Sequence, residues 1–431
     1  MDRVQYYSKK VKVFSTIDTD DLHVHPSAYL RIAQLQSPAL FPHLRHLLYN
    51  LGDDGSIPYI SLFLSPLLQS IQLVNIRGLE DTIVGPFLAS SLSSQMTRRI
   101  VLRFGRMSVD ILKKSISHFE QLRSLELIDA VFISDFVLWE VLGTLPYLEH
   151  FSLDMDPTCH PSDDPTYDSE ASNRQSASGG PECFKFYALE TLCVTGSFFL
   201  IQHLLGSIDS PYLKTIEFYP VNNLFRNEPG PGDLFTPSMT IVASKWSKSL
   251  KKLVIGPWSS DVAHRNPTSK CLMLFTALHE MQTFKLMGWT TGNLENMDNK
   301  VGRLVMSWPK LRILQLPLNQ AFISLSTLGI IAENCPELRR LQIQIRLDVS
   351  TIPPFNTSSK SLRHNLEVLT VGRAHPSDTI TQTILEYQIQ ATQYLDFIFP
   401  YLKTIEVQHK DEIWSAIRDL AKLCRDARRL Q

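Results

Sequence analysis

Cysteine is scarce and scattered. Cys159, Cys183, Cys193, Cys271, Cys335 and Cys424 form no C-x-x-C pair, so the spacing offers neither a disulfide framework nor a zinc site. Neither sign of charge prevails, with 42 basic and 43 acidic residues and a formal net charge of -1. Such a chain lacks the basic field that nucleic acid or an anionic membrane surface requires, and the local clusters Lys9, Lys10, Lys12 and Arg425, Arg428, Arg429 read as solvated faces. No uninterrupted apolar run approaches the ~18 residues of a membrane span. The opening "MDRVQYYSKKVKVF" has no apolar stretch of the signal-peptide kind. Also missing are G-x-S-x-G, G-x-x-x-x-G-K-S/T, H-E-x-x-H and G-x-G-x-x-G, the local signatures of four common chemistries. His23 with His25, and Cys159 with His160, are the close His/Cys groupings, too small for a metal site. These absences lead to the expectation of a reduced, cytoplasmic or nuclear protein that is not an enzyme and carries no cofactor or metal.

What is present is a large apolar fraction, 44% against 20% charged, enough for a sizeable core. It is arranged in a recurring phrase, L-x-x-L-x-L. Good copies start at Leu68, Leu122, Leu148, Leu189, Leu213, Leu250, Met281, Leu311, Leu338, Leu366 and Leu402, with weaker ones at Leu44 and Thr97. A spacing of mostly about 24 to 31 residues marks leucine-rich repeats. In "LRSLELID" Leu125 and Leu127 share one face while Ser124 and Glu126 take the other, and a strand so short buries its apolar face only against copies of itself. Between the phrases the period becomes helical: Leu325, Leu328, Ile331, Ala332 and Cys335 share a face, as do Ile111, Ile116 and Phe119. The pattern predicts an α/β leucine-rich-repeat solenoid of about 12 to 13 irregular repeats, with parallel strands on a concave face and helices on a convex one.

Pro42, Pro66, Pro146, Pro211, Pro309, Pro336 and Pro400 each stand two residues before the first leucine of a phrase, where proline is expected to stop the helix and release the next strand. Residues 154–183, rich in Pro, Ser, Gly and Asp, read as a disordered surface insertion, and "NNLFRNEPGPGDLFTPS" as a second, smaller break. Trp414, Ile417, Leu420 and Cys424 make an apolar stripe on a final helix. The organisation expected is an N-terminal region 1–40, a solenoid 41–410 and a capping helix 411–431.

The asparagine that ordinarily follows the strand in such repeats occurs in this chain as Asn319, while Ala130, Asp156, Ser197, Val221, Trp258 and Trp289 fill equivalent places. Trp258 and Trp289 share a register in consecutive repeats and form a candidate aromatic anchor for a protein partner, or else core filler. The polar alternates of the strands, Glu126, Ser152, Glu217, Lys285, Gln315, Arg340, Gln342 and Glu406, form the other candidate protein-binding surface, or an ordinary solvated face.

"RVQYYSKKVKVFS" followed by "FPHLRHLLYN" resembles the region just after the F-box in the F-box/leucine-rich-repeat-like proteins of mushroom-forming fungi. That resemblance implies a receptor that holds a target protein on its repeats and attaches through an F-box to the adaptor of a cullin-RING ubiquitin ligase. No F-box is seen before these residues, so the adaptor is an expected partner only where one lies upstream. The alternative is a free-standing interaction protein. Both readings expect a monomer with an unknown target protein on the concave face.

Overall fold

The computed structural model describes residues 6–16, 40–51, 57–76, 83–90, 95–103, 109–130, 142–155, 184–221, 231–257, 269–287, 296–316, 322–347, 364–373, 375–376, 384–408 and 410–429. They belong to two compact units, Met1–Leu213 and Lys214–Gln431.

In the first unit β1 (Val13–Ser15), β2 (His46–Asn50), β3 (Ser70–Val74), β4 (Arg99–Arg103), β5 (Ser124–Ala130) and β6 (His150–Met155) lie side by side in chain order. β7 (Phe184–Lys185) leaves this row to pair with β9 (Ile208–Asp209), and β8 (Thr191–Gly196) completes it beside β6. In the second unit the row is β10 (Thr215–Pro220), β11 (Lys252–Ile255), β12 (Thr283–Leu286), β13 (Ile313–Gln315), β15 (Arg340–Leu347), β16 (Val368–Val371) and β18 (Thr404–Val407). β14 (Phe322–Ser324) and β17 (His375–Pro376) flank the far half of β15. The described pairs are parallel, and helices such as Val109–Ile116, Met297–Ser307 and Leu325–Asn334 make the crossovers. This is the α/β leucine-rich-repeat solenoid that the phrase predicts, and each of its thirteen copies opens one strand of these rows.

The apolar positions stack in register. Leu47, Ile71, Ile100, Leu125, Phe151 and Leu192 are successive partners in the first unit, each at most 1% exposed. Ile216, Leu253, Phe284, Leu314, Leu341, Leu369 and Ile405 do the same in the second. Each such burial is worth about 1.5–3 kcal/mol, and it is available only when the next repeat is in place.

A second device joins repeats at the start of each strand. One carbonyl accepts two N–H groups from the following repeat, as Arg98 O does from Arg123 N at 2.8 Å and Ser124 N at 2.9 Å. Lys12, Arg45, Gln69, Arg123 and Glu149 repeat this fork in the first unit, and Lys214, Lys251, Gln282, Arg312, Arg339 and Glu367 in the second. The bond uses backbone atoms alone, so the side chain beside it is free to vary. Of the places where an asparagine is expected, Ser197 has become a helix cap, its Oγ accepting from Leu200 N at 3.2 Å, and Ala130 is buried at the end of β5.

The prolines act through a turn. Pro42, Pro66, Pro146, Pro309, Pro336 and Pro400 each occupy its second position, and the first leucine of the phrase closes it, as Leu311 N does on Trp308 O at 3.0 Å and Leu338 N on Cys335 O at 3.0 Å. Proline presets that position and pushes the preceding residue out of the helical region. Trp308 (φ -122°, ψ 60°) and Cys335 (φ -120°, ψ 67°) accordingly end the helices Met297–Ser307 and Leu325–Asn334.

Three expectations change in detail. The smaller break overlaps a helix, Pro231–Lys245, despite Pro237 within it. Phe235, Met239, Val242 and Trp246, all at most 1% exposed, supply a buried stripe whose gain exceeds the cost of the proline. β6 runs on through Asp154 and Met155, the first two residues assigned to the long insertion, whose remainder lies outside the described residues. In the helix Val109–Ile116, Leu112 joins Ile116 on the buried face that continues to Phe119.

His364 stands in for a proline turn. Its Nδ1 accepts from Leu366 N at 3.1 Å, so its Nε2 carries the proton and donates to Cys335 O at 2.7 Å. Burial lowers its pKa, and the hydrogen bond to Cys335 opposes this only in part. The unfolded chain therefore binds a proton near pH 6.5 that the folded chain refuses. The neutral ring's contribution to stability is present above that pH and is lost as the pH falls through the lower folded value. Melting temperature is expected to fall on acidification through this window, and His364→Gln to flatten the profile. A wild-type profile that stays level there would contradict the assignment.

Candidate functional site

Strand alternation turns every second side chain away from the core, and register places these in rows across the repeats. In the first unit one row reads Gln72, Val101, Glu126, Ser152, Cys193. In the second the corresponding row reads Glu217, Val254, Lys285, Gln315, Gln342, Thr370, Glu406. Arg340 belongs to the neighbouring row, between Ile313 and Val368. The structure thus brings Glu217, Lys285, Gln315, Arg340, Gln342 and Glu406 onto one unit's strand face and places Glu126 and Ser152 on the other's. Val101 and Val254, 2% and 3% exposed, interrupt both rows. Trp258, Trp289 and Asn319 lie outside the described residues.

Many of the charges on these faces are matched laterally between repeats. In the first unit Arg99 pairs with Glu126 at 2.9 Å, Arg103 with Asp129 at 2.7 Å and Arg123 with Glu149 at 2.7 Å. In the second, Lys252 pairs with Glu217 at 2.6 Å, Lys310 with Glu280 at 2.7 Å, Arg312 with Glu337 at 3.0 Å and Lys403 with Glu367 at 3.2 Å. Pairs this exposed contribute about 0–1 kcal/mol each, so their main effect is to fix where charge is left over. Burial alone would raise the Glu217 carboxyl; the Lys252 ammonium, the Tyr219 hydroxyl at 2.9 Å and the field of Lys285 outweigh it and hold the group below its usual value. Glu406 accepts from Thr370 Oγ1 at 2.9 Å.

The centre of the second unit's face differs from its ends. Among the described residues no hydrogen bond or ion pair engages the side chains of Lys285, Gln315, Arg340, Gln342 or Arg346. Lys252, Tyr219 and Arg346 escaped the sequence reading, although the signal for Lys252 was present in its outward place two residues into its phrase.

A concavity of about 500 Å³, open to solvent, lies between the turn Pro400–Leu402 and the helix Glu412–Arg429. Its cations are largely committed: Arg425 donates to the carbonyls of Leu402 and Lys403, and Lys403 faces Glu367. It is the seam beneath that helix rather than a separate site. No group of three or more metal-ligating side chains occurs among the described residues, and none of their helices is long and apolar enough to cross a membrane.

No family profile matches the sequence, and no curated protein matches it. Solved structures do. An internalin from Listeria monocytogenes str. 4b F2365 superposes with a TM-score of 0.43 at 11% identity, covering 95% of this chain and 89% of that one. The leucine-rich repeat-containing protein LegL7 from Legionella pneumophila gives 0.38 at 11% identity, with 87% and 97% covered. The yeast complex of Rad7 and Elc1 gives 0.34 at 13%, with 83% and 91% covered.

Proposed function

We propose that the chain is a non-enzymatic, cofactor-free protein-recognition scaffold whose strand face receives a protein partner. The supporting observation is the row of donors on β12, β13 and β15 that find no partner within the chain's described residues. Polar side chains aligned by register and left unengaged form a preorganised surface, whose binding forfeits little intramolecular bonding. In this reading residues 41–410 are the recognition domain, 1–40 lead into it and 411–431 close it. The protein works as a monomer in the cytoplasm or nucleus, without nucleic acid or membrane.

The resemblance of the opening residues to fungal F-box/leucine-rich-repeat-like proteins extends the proposal to the substrate-binding part of a cullin-RING ubiquitin ligase receptor. The test places a photo-crosslinking phenylalanine at Gln315 or, as a control, at Arg303 on the helix Met297–Ser307, in the full chain expressed in its native host. A partner crosslinked from Gln315 alone, which then binds the purified chain directly, supports the scaffold. Adaptor and cullin in the same purification support the ligase role, and their absence leaves the free-standing scaffold. Equal crosslinking from both positions overturns the strand-face assignment.

A further inference from the structure

The two signs of charge on the second unit's strand side are treated unequally. The described carboxylates at or beside the strands each have a donor: Glu217 has Lys252 and Tyr219, Glu280 has Lys310, Glu337 has Arg312, Glu367 has Lys403 and Glu406 has Thr370. Lys285, Arg340 and Arg346 have no carboxylate within ion-pair distance among the described residues. Between them stand the amides of Gln315 and Gln342, equally unengaged, on adjacent strands in register. A near-neutral chain has thus spent its acids on one another's neighbours and left a cationic, amide-lined centre.

The geometry of that centre is narrow. β12, β13 and β15 are consecutive in the row, so Lys285 and Gln342 stand two strand spacings apart, about 10 Å. Arg340 and Arg346 lie six residues apart on β15, about 20 Å along it. A patch about 10 by 20 Å fits one extended chain segment rather than a folded domain. Arginine favours carboxylate through its planar fork, and a glutamine amide can both donate and accept, so it can serve the segment's backbone as well as its side chains.

Resting on the scaffold reading above, we infer that the second unit's strand face, centred on Lys285, Gln315, Arg340 and Gln342, binds an extended acidic segment of its protein partner. Across the strands the patch is bordered by Glu406, where a partner carboxylate meets like charge, and by the Glu217–Lys252 pair, where no cation is left over.

The experiment titrates the full-length chain into a fluorescein-labelled dodecapeptide of alternating Glu and Gly at low ionic strength, followed by anisotropy. A Lys-Gly peptide and a single-stranded oligouridylate of equal length serve as competing chemistries. The Glu-Gly peptide should bind, the Lys-Gly peptide should not, and Lys285→Glu with Arg340→Glu should weaken binding by about tenfold or more. Arg303→Glu, the same reversal on the exposed helix side, should change it by less than about twofold. The double variant is compared by circular dichroism, and Lys285→Ala with Arg340→Ala replaces it if it misfolds. Three results overturn the inference: no preference for the acidic peptide, equal loss in Arg303→Glu, or tighter binding of the oligouridylate that the double variant abolishes. A protein partner that crosslinks at Gln315 but is indifferent to the charge reversals would leave the scaffold reading standing and remove the acidic segment.

Discussion

Trp308→Ala is expected to destabilise the second unit by about 3–5 kcal/mol, the range for removing a large aromatic from a packed core. Trp308 is 0% exposed, its ring centre lies 5.0 Å from that of Phe284, and its Nε1 donates to Phe275 O at 3.1 Å. The last contact reaches back 33 residues, so the indole ties its own repeat to the one before. Alanine removes the packing and one of the two donors of that carbonyl, which keeps Leu278 N at 3.0 Å. Trp308→Phe separates the two effects, since it restores much of the volume and removes only the indole's hydrogen bond, at about 0.5–1.5 kcal/mol. Urea denaturation reads both, and hydrogen exchange should place the loosening in β12 and β13, because stability in a stacked array passes chiefly between neighbours. If Trp308→Ala shifted stability by under about 1 kcal/mol, the indole could not be the tie proposed.

The repeat array was open to reading because one residue pattern serves both local and long-range structure. A leucine at the first, fourth and sixth place of a phrase makes a strand, and that strand can bury its face only against another copy. The period therefore implied the sheet before any pairing was known. The helix Pro231–Lys245 was harder. Its prolines and its glycine suggest a loop by local preference, whereas the deciding term is burial of Phe235, Met239, Val242 and Trp246 as the helix packs beside Ser269–Ala277. That 4-3-4 spacing was in the sequence, but it is outweighed locally and wins only in the folded unit. The forked carbonyls were invisible for another reason: a backbone acceptor leaves no mark on the side chain that carries it.

The candidate surface was legible in its members and not in their state. Alternation within each phrase names Glu217, Lys285, Gln315, Arg340 and Gln342 as outward residues. Whether such a residue is free depends on the repeat beside it. Glu217 and Lys252 are 35 residues apart, and their 2.6 Å contact is a diagonal between the third place of one phrase and the fifth of the one before. Once the phrases are aligned, such a diagonal can be read from the sequence, and it distinguishes the spent charge of Glu217 at one end of the face from the unspent ones at its centre. The surplus is a property of the alignment between repeats, which no single repeat encodes.

The same logic applies to the repeat of β18, whose fork no described strand fills. Arg425 supplies the missing donors, its guanidinium reaching the carbonyls of Leu402 and Lys403 from the helix Glu412–Arg429. That helix is held by Trp414 and Ile417, both 0% exposed, and is capped by Asp411, whose Oδ1 accepts from Trp414 N at 3.0 Å. Arg425→Ala should cost about 2 kcal/mol, the scale of a charge-assisted bond to a backbone carbonyl. The loss should be local, with hydrogen exchange accelerating first in β18 and leaving β12 to β15 protected, the opposite distribution to that of Trp308→Ala. Arg425→Lys keeps the charge but offers a compact ammonium in place of a planar fork, and should recover less than half of the loss. Unchanged exchange in β18 in Arg425→Ala would mean that helix packing alone closes the array and that the guanidinium is incidental to it.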